Sequence, residues 1–132
     1  MDNAGSFLLG SLAIAAPRAL TALTPIVGLD GMSALSLECN FQWGAGGTTA
    51  TAIIATSLDG TLWRQIARFD FATASLAKTA NISGLTPKGI TIYADLTAEG
   101  VADGFLGNAL ALLVSSTGTY TNSVITCRAA VR

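Results

Sequence analysis

Apolar and polar positions alternate with a period of two along much of this chain. In residues 32–41, MSALSLECNF, one phase holds Leu35, Leu37, Cys39 and Phe41, and the other holds Ala34, Ser36, Glu38 and Asn40. Period two with one polar side predicts a half-buried antiparallel strand. The central stretch, residues 50–71, reads as two strands: a β-branched run over 51–56, and a run over 62–69 in which small or polar positions interrupt large apolar ones. Between them lies Asp59-Gly60. A two-residue hairpin turn needs positive φ, which Gly adopts at little cost, so this dipeptide predicts a hairpin.

The rest of the chain continues in short strands. Pro17 and Pro25 bracket an extended segment suited to a sheet edge, where missing amide hydrogens do no harm. Residues 28–31 form a turn and 44–49 a glycine loop. Residues 76–82 predict a further strand, and so do 90–95, where Ile90, Ile92 and Ala94 alternate with Thr91, Tyr93 and Asp95. Residues 97–107, with three glycines, read as a long loop, of the kind that often makes a contact. Residues 108–116 predict a strand buried on both faces, and 123–131 a terminal strand paired into a sheet. Seven or eight short strands at about ten-residue spacing, with no amphipathic helix, predict an all-β fold: a two-sheet antiparallel β-sandwich or jelly roll.

The start of the chain is apolar from residue 7 to residue 16. Its leader, Met1-Asp2-Asn3, has an acid and no Lys or Arg, unlike the positive start of a secretory signal. Ten residues are too few for a membrane-spanning helix, which needs about 20. Residues 1–16 are therefore either a first strand or short helix of the core, or an arm lying on a neighbouring subunit through Phe7, Leu8, Leu9, Leu12 and Ile14. Residues 17–132 form a single sandwich domain.

Composition adds a mode of life. Of the 132 residues 51% are hydrophobic and 11% charged, against roughly 25% charged in an average soluble domain. Two readings follow: a surface largely covered by other subunits, or a small domain whose Thr and Ser hydroxyls hydrate its outside. Seven basic residues scattered singly give no nucleic-acid site. The absence of His removes the commonest general base and metal ligand. Without His, and without G-x-S-x-G, no Ser-His-Asp triad can form, and no enzyme, cofactor or metal is expected. The glycines of 44–49 lack the Lys-Ser/Thr and helix of a phosphate loop.

Cys39 and Cys127 each fall on the apolar phase of a strand and are expected as buried free thiols; a bond between them requires the two strands to be neighbours. Asp95, Glu99 and Asp103, four residues apart, do not have the spacing of a calcium loop and are expected to form either a solvated loop or a salt-bridging contact surface. Trp63 is expected to pack at the sandwich edge. Trp43, beside the glycine loop, is the more exposed candidate for a contact.

Four stretches carry a resemblance: the loop 44–49, the S-x-D-G-x-x-W segment 57–63, FDFATAS at 69–75, and the GTY turn at 118–120. Across residues 28–131 the chain resembles small β-rich proteins encoded in the structural gene clusters of tailed bacteriophages. The resemblance implies a catalytically empty virion component, and a capsid cement or decoration subunit best of all. Such a subunit is made in the host cytoplasm and sits on the capsid exterior, commonly as a homotrimer, across boundaries of the major capsid protein, with no nucleic-acid or membrane partner. A head-to-tail or tail component, and a carbohydrate-binding host-recognition module, are the alternatives.

Overall fold

A computed structural model describes residues 4–132; the leader Met1-Asp2-Asn3 lies outside them. The described residues form ten strands: β1 (Gly5–Ile14), β2 (Arg18–Ala22), β3 (Ala34–Gln42), β4 (Ala45–Gly46), β5 (Thr49–Ser57), β6 (Trp63–Phe71), β7 (Leu76–Ser83), β8 (Ala109–Thr117), β9 (Tyr120–Thr121) and β10 (Ser123–Val131). One sheet runs β1-β10-β3-β7 and the other β2-β8-β5-β6, all antiparallel, with β4-β9 a small ribbon at one end. The two sheets pack face to face as a β-sandwich.

The alternation in β3 is realised residue by residue. Leu35, Leu37, Cys39 and Phe41 are buried while Ser36, Glu38 and Asn40 face water, and β10 supplies Ile125, Cys127, Ala129 and Val131 beside them. Ala52, Ile54, Leu110, Leu112 and Val114 close the core from the other sheet. The Phe41 ring sits 5.3 Å from Phe71 and 5.6 Å, edge-on, from Tyr120. Each such side chain, fully buried, contributes about 1.5–3 kcal/mol. In β8 both phases are buried from Ala109 to Leu112, as its unbroken apolar run predicts.

The N-terminal apolar segment is a strand of the domain itself. β1 pairs with β10 along its length, with a bulge between Leu8 and Gly10. Leu9 and Ile14 enter the core, Phe7 and Leu12 pack against it half-buried, and Leu8 points out. Of the two readings left open by the sequence, arm or core, the structure places residues 5–14 in the sheet.

Three local expectations are corrected. The turn between β5 and β6 is a five-residue loop, 58–62, because Ser57 pairs with Trp63. Within it the Asp59 carboxylate accepts from the amides of Thr61 and Leu62, and Gly60 takes φ 79°. Residues 90–95 form no strand: Ile90 and Ile92 stand fully in solvent. Cys39 and Cys127 are not free thiols but a disulfide, since β3 and β10 are neighbours in a register that sets the two directly opposite.

Candidate interaction surface

A sandwich has two open flanks, where the edge strands of its sheets lie one above the other. On one flank, β6 and β7 are joined by residues 99–104. The Arg68 amide donates to Gly100 O at 2.9 Å and the Ala102 amide to Ile66 O at 2.9 Å, so this segment runs along the edge of β6. Next in sequence, the Gly104 amide donates to Ser83 O at 3.0 Å and the Asp103 carboxylate accepts from the Ser83 amide at 2.6 Å, which closes the end of β7. Lys78 of β7 completes the link, ion-paired with Glu99 and donating to Asp70 O at 2.6 Å.

Asp70 anchors the same flank from the outer face of its sheet. It accepts from Arg68, from the Thr51 hydroxyl at 2.9 Å and from the Glu99 amide at 3.2 Å. Partial burial pushes its carboxyl up, but these hydrogen bonds outweigh the burial and hold it below the usual carboxylate range. Asp103 is also held low, by the Ser83 amide first and the Thr86 hydroxyl next.

Upstream, residues 88–97 stand away from β6 and leave a cleft of about 630 Å³ between them, lined by Arg64, Ile66, Lys88, Ile92, Tyr93 and Phe105. Two points hold this segment to β6: Leu96, whose amide donates to Gln65 Oε1 at 2.9 Å and whose carbonyl accepts from Arg68 at 3.1 Å, and Tyr93. The Tyr93 hydroxyl accepts from the Gln65 amide at 3.1 Å and donates to Asp95 at 2.7 Å, and the Arg64 guanidinium lies 4.5 Å over the Tyr93 ring. Burial pushes the Tyr93 phenol up, so it stays protonated at neutral pH.

The loops 23–33, 58–62 and 84–108 gather at a single end of the sandwich. Hydrogen bonds from the Leu29 amide to Asn108 O, the Asn108 amide to Ser57 O and the Gly84 amide to Ser33 O stitch them together. That end is apolar. Every large hydrophobic among the described residues that is more than half exposed lies there: Val27, Leu58, Leu62, Leu85, Ile90 and Ile92. Large hydrophobics left exposed on loops drawn to one end make that end the candidate interaction surface.

The residues singled out from the sequence are thus dispersed. Asp95, Glu99 and Asp103 do not converge: Asp95 accepts from Tyr93 within the long loop, while Glu99 and Asp103 fasten the loop to β7 at Lys78 and Ser83. Trp43 is half-buried against the core, and its indole N–H donates to Gly46 O at 2.9 Å; Trp63 is half-buried at the start of β6. Phe7, Leu9, Leu12 and Ile14 belong to the β1 flank, with Leu8 on its outer side. The apolar end itself was missed. Its signal was present as large hydrophobics in turn segments, such as Leu58 and Leu62 around Asp59-Gly60. No protein-family model, curated protein or solved structure matches this chain.

Proposed function

We propose that this chain is a non-enzymatic structural subunit of a virion, of the capsid cement or decoration type, that binds across boundaries of the major capsid protein and stabilises the shell. The observation that carries the reading is the apolar end: six large hydrophobics left in water on loops drawn to one end of the sandwich make sense in a subunit whose loops are covered by neighbours. The phage-like segments described above supply the context. The Cys39–Cys127 bond fits a particle that spends its life outside a reducing cytosol. A sugar-binding role has less support, because both Trp are half-buried and the Trp43 indole N–H is already bonded to Gly46 O.

The test is a copy count. Particles from the source phage are analysed by mass spectrometry against the major capsid protein, with a parallel sample stripped by mild denaturant. A count comparable with the capsid protein, and heat stability that falls as the chain is removed, is the expected result. A dozen copies or fewer would instead assign the chain to the neck or tail.

A further inference from the structure

We propose that residues 88–92 of one copy add as a strand to the free edge of β1 in a second copy, joining the chains head to tail. The argument begins with the sheet edges. A free edge offers unpaired N–H and C=O groups, and proteins usually blunt it with charge, Pro, brevity or a covering loop. The edges of β6 and β7 are covered by residues 99–104. β2 has five residues and begins next to Pro17 with Arg18. β1 is different: ten residues, GSFLLGSLAI, with no charge and no Pro, hydrogen-bonded as a strand to β10 alone among the described residues.

The donor is equally unprovided for. Residues 90–95 carry the period-two pattern of a half-buried strand, yet they pair with no strand among the described residues, and Ile90 and Ile92 are fully exposed. Fastening begins only at Tyr93, which leaves 88–92 free. Added to β1, one phase of this segment places Ile90 and Ile92 on the core side, two residues apart, over Gly10 and one of the half-buried inward side chains that flank it, Phe7 or Leu12. The segment lies on the β6/β7 flank, whereas β1 lies on the other. A chain therefore cannot satisfy its own edge, and the contact is heterologous, which generates rings or filaments.

The apolar surface that the pairing removes from water is chiefly that of Ile90 and Ile92, both fully exposed, and of the half-buried inward side chains of β1, and the added strand satisfies the open edge with backbone hydrogen bonds. Leu8 and Leu20, both about half exposed, continue the apolar strip on the receiving flank. This inference deepens the assembly reading by naming a second copy of the chain as partner, and it rests on that reading only in taking the chain to be a subunit.

The experiment uses the full chain with size-exclusion chromatography and light scattering over a concentration series. Wild type is expected to exceed the 13.4 kDa monomer mass. The donor variant Ile90→Asp/Ile92→Asp, altered only in solvent, and the acceptor variant Leu12→Lys, which puts a charge on the inner side of the edge, are each expected to run as monomers. Mixed in equal amounts they retain one intact interface, so the mixture stops at a dimer. If Leu12→Lys does not fold, hydrogen exchange replaces it: the β1 amides that face away from β10 are slowed in wild type and lose that protection in the donor variant, while those bonded to β10 are unchanged. A monomeric wild type, a donor variant of unchanged mass, or protection of the edge-facing β1 amides that survives in the donor variant would overturn the pairing. An oligomer that withstands the donor substitutions overturns the pairing while leaving the assembly reading in place, whereas a low copy number in particles overturns the cement role alone.

Discussion

Cys39 and Cys127 face each other across β3 and β10 with their Cα atoms 4.3 Å apart, the spacing of a non-hydrogen-bonded antiparallel pair. Both are fully buried, and the bond lies within one sheet. It fixes the register of two central strands 88 residues apart in sequence.

From that arrangement, Cys39→Ala/Cys127→Ala is expected to fold to the same sandwich with lower stability. Opening so long a loop costs about 2–4 kcal/mol, which corresponds to about 10 °C in Tm for a domain of this size. Thermal unfolding of the double variant, beside mass spectrometry of the wild type with and without reductant, measures it. An unshifted Tm would show that β3–β10 pairing alone sets the register.

Acid should loosen the covered flank. Asp70 and Asp103 both have folded-state pKa values below the ordinary one. A depressed carboxyl contributes stability that is fully present above its unfolded value, about 3.9, and is lost as pH falls through its folded value. Thermal stability is therefore expected to be flat from neutral pH to about 5 and to fall below about 4. In Asp70→Asn/Asp103→Asn the slope in the acid range should be shallower, because neither side chain titrates.

Gly107 tests how tightly the long loop is seated. Its amide donates to the buried Thr56 hydroxyl at 2.9 Å, and the same hydroxyl donates to Ala109 O at 2.9 Å. A Cβ at Gly107 would collide with the Ser57 carbonyl, a backbone group that cannot turn aside. Gly107→Ala is expected to cost about 1–3 kcal/mol. Urea unfolding should show a lower midpoint with the same slope, since the fold exposes the same surface when it opens.

What the sequence made legible follows from how local each cause is. β3 declares itself because one side of it meets the core and the other meets water, and period two records both. β8 declares itself because neither phase is polar over residues 109–114. The disulfide does not, because it depends on a register between strands 88 residues apart. Glu99 is spent on an ion pair with Lys78 and Asp103 on the Ser83 amide, partners 20 or more residues away that the spacing of the acids does not name. A pairing between a loop and an edge strand leaves no period in the sequence. The apolar end was illegible for a related reason: Val27, Leu58 and Leu85 are not neighbours in the chain, and only the loop packing gathers them.

The clearest separation of pattern from packing is Ile82 against Ile92. Both sit in runs that the sequence reads as strands, and of the two only the run around Ile92 alternates cleanly. Ile82 lies in β7 opposite Leu35 and is buried; Ile92 stands in solvent. Ile82→Ala should therefore cost about 2–5 kcal/mol through lost contacts and a cavity. Ile92→Ala should change the stability of the isolated chain by no more than about 0.5 kcal/mol. Denaturant midpoints measured at a dilution where the chain is monomeric give the comparison, because at higher concentration any self-association adds its own stabilisation. Equal losses at the two sites would mean that residues 90–95 lie in the folded core after all.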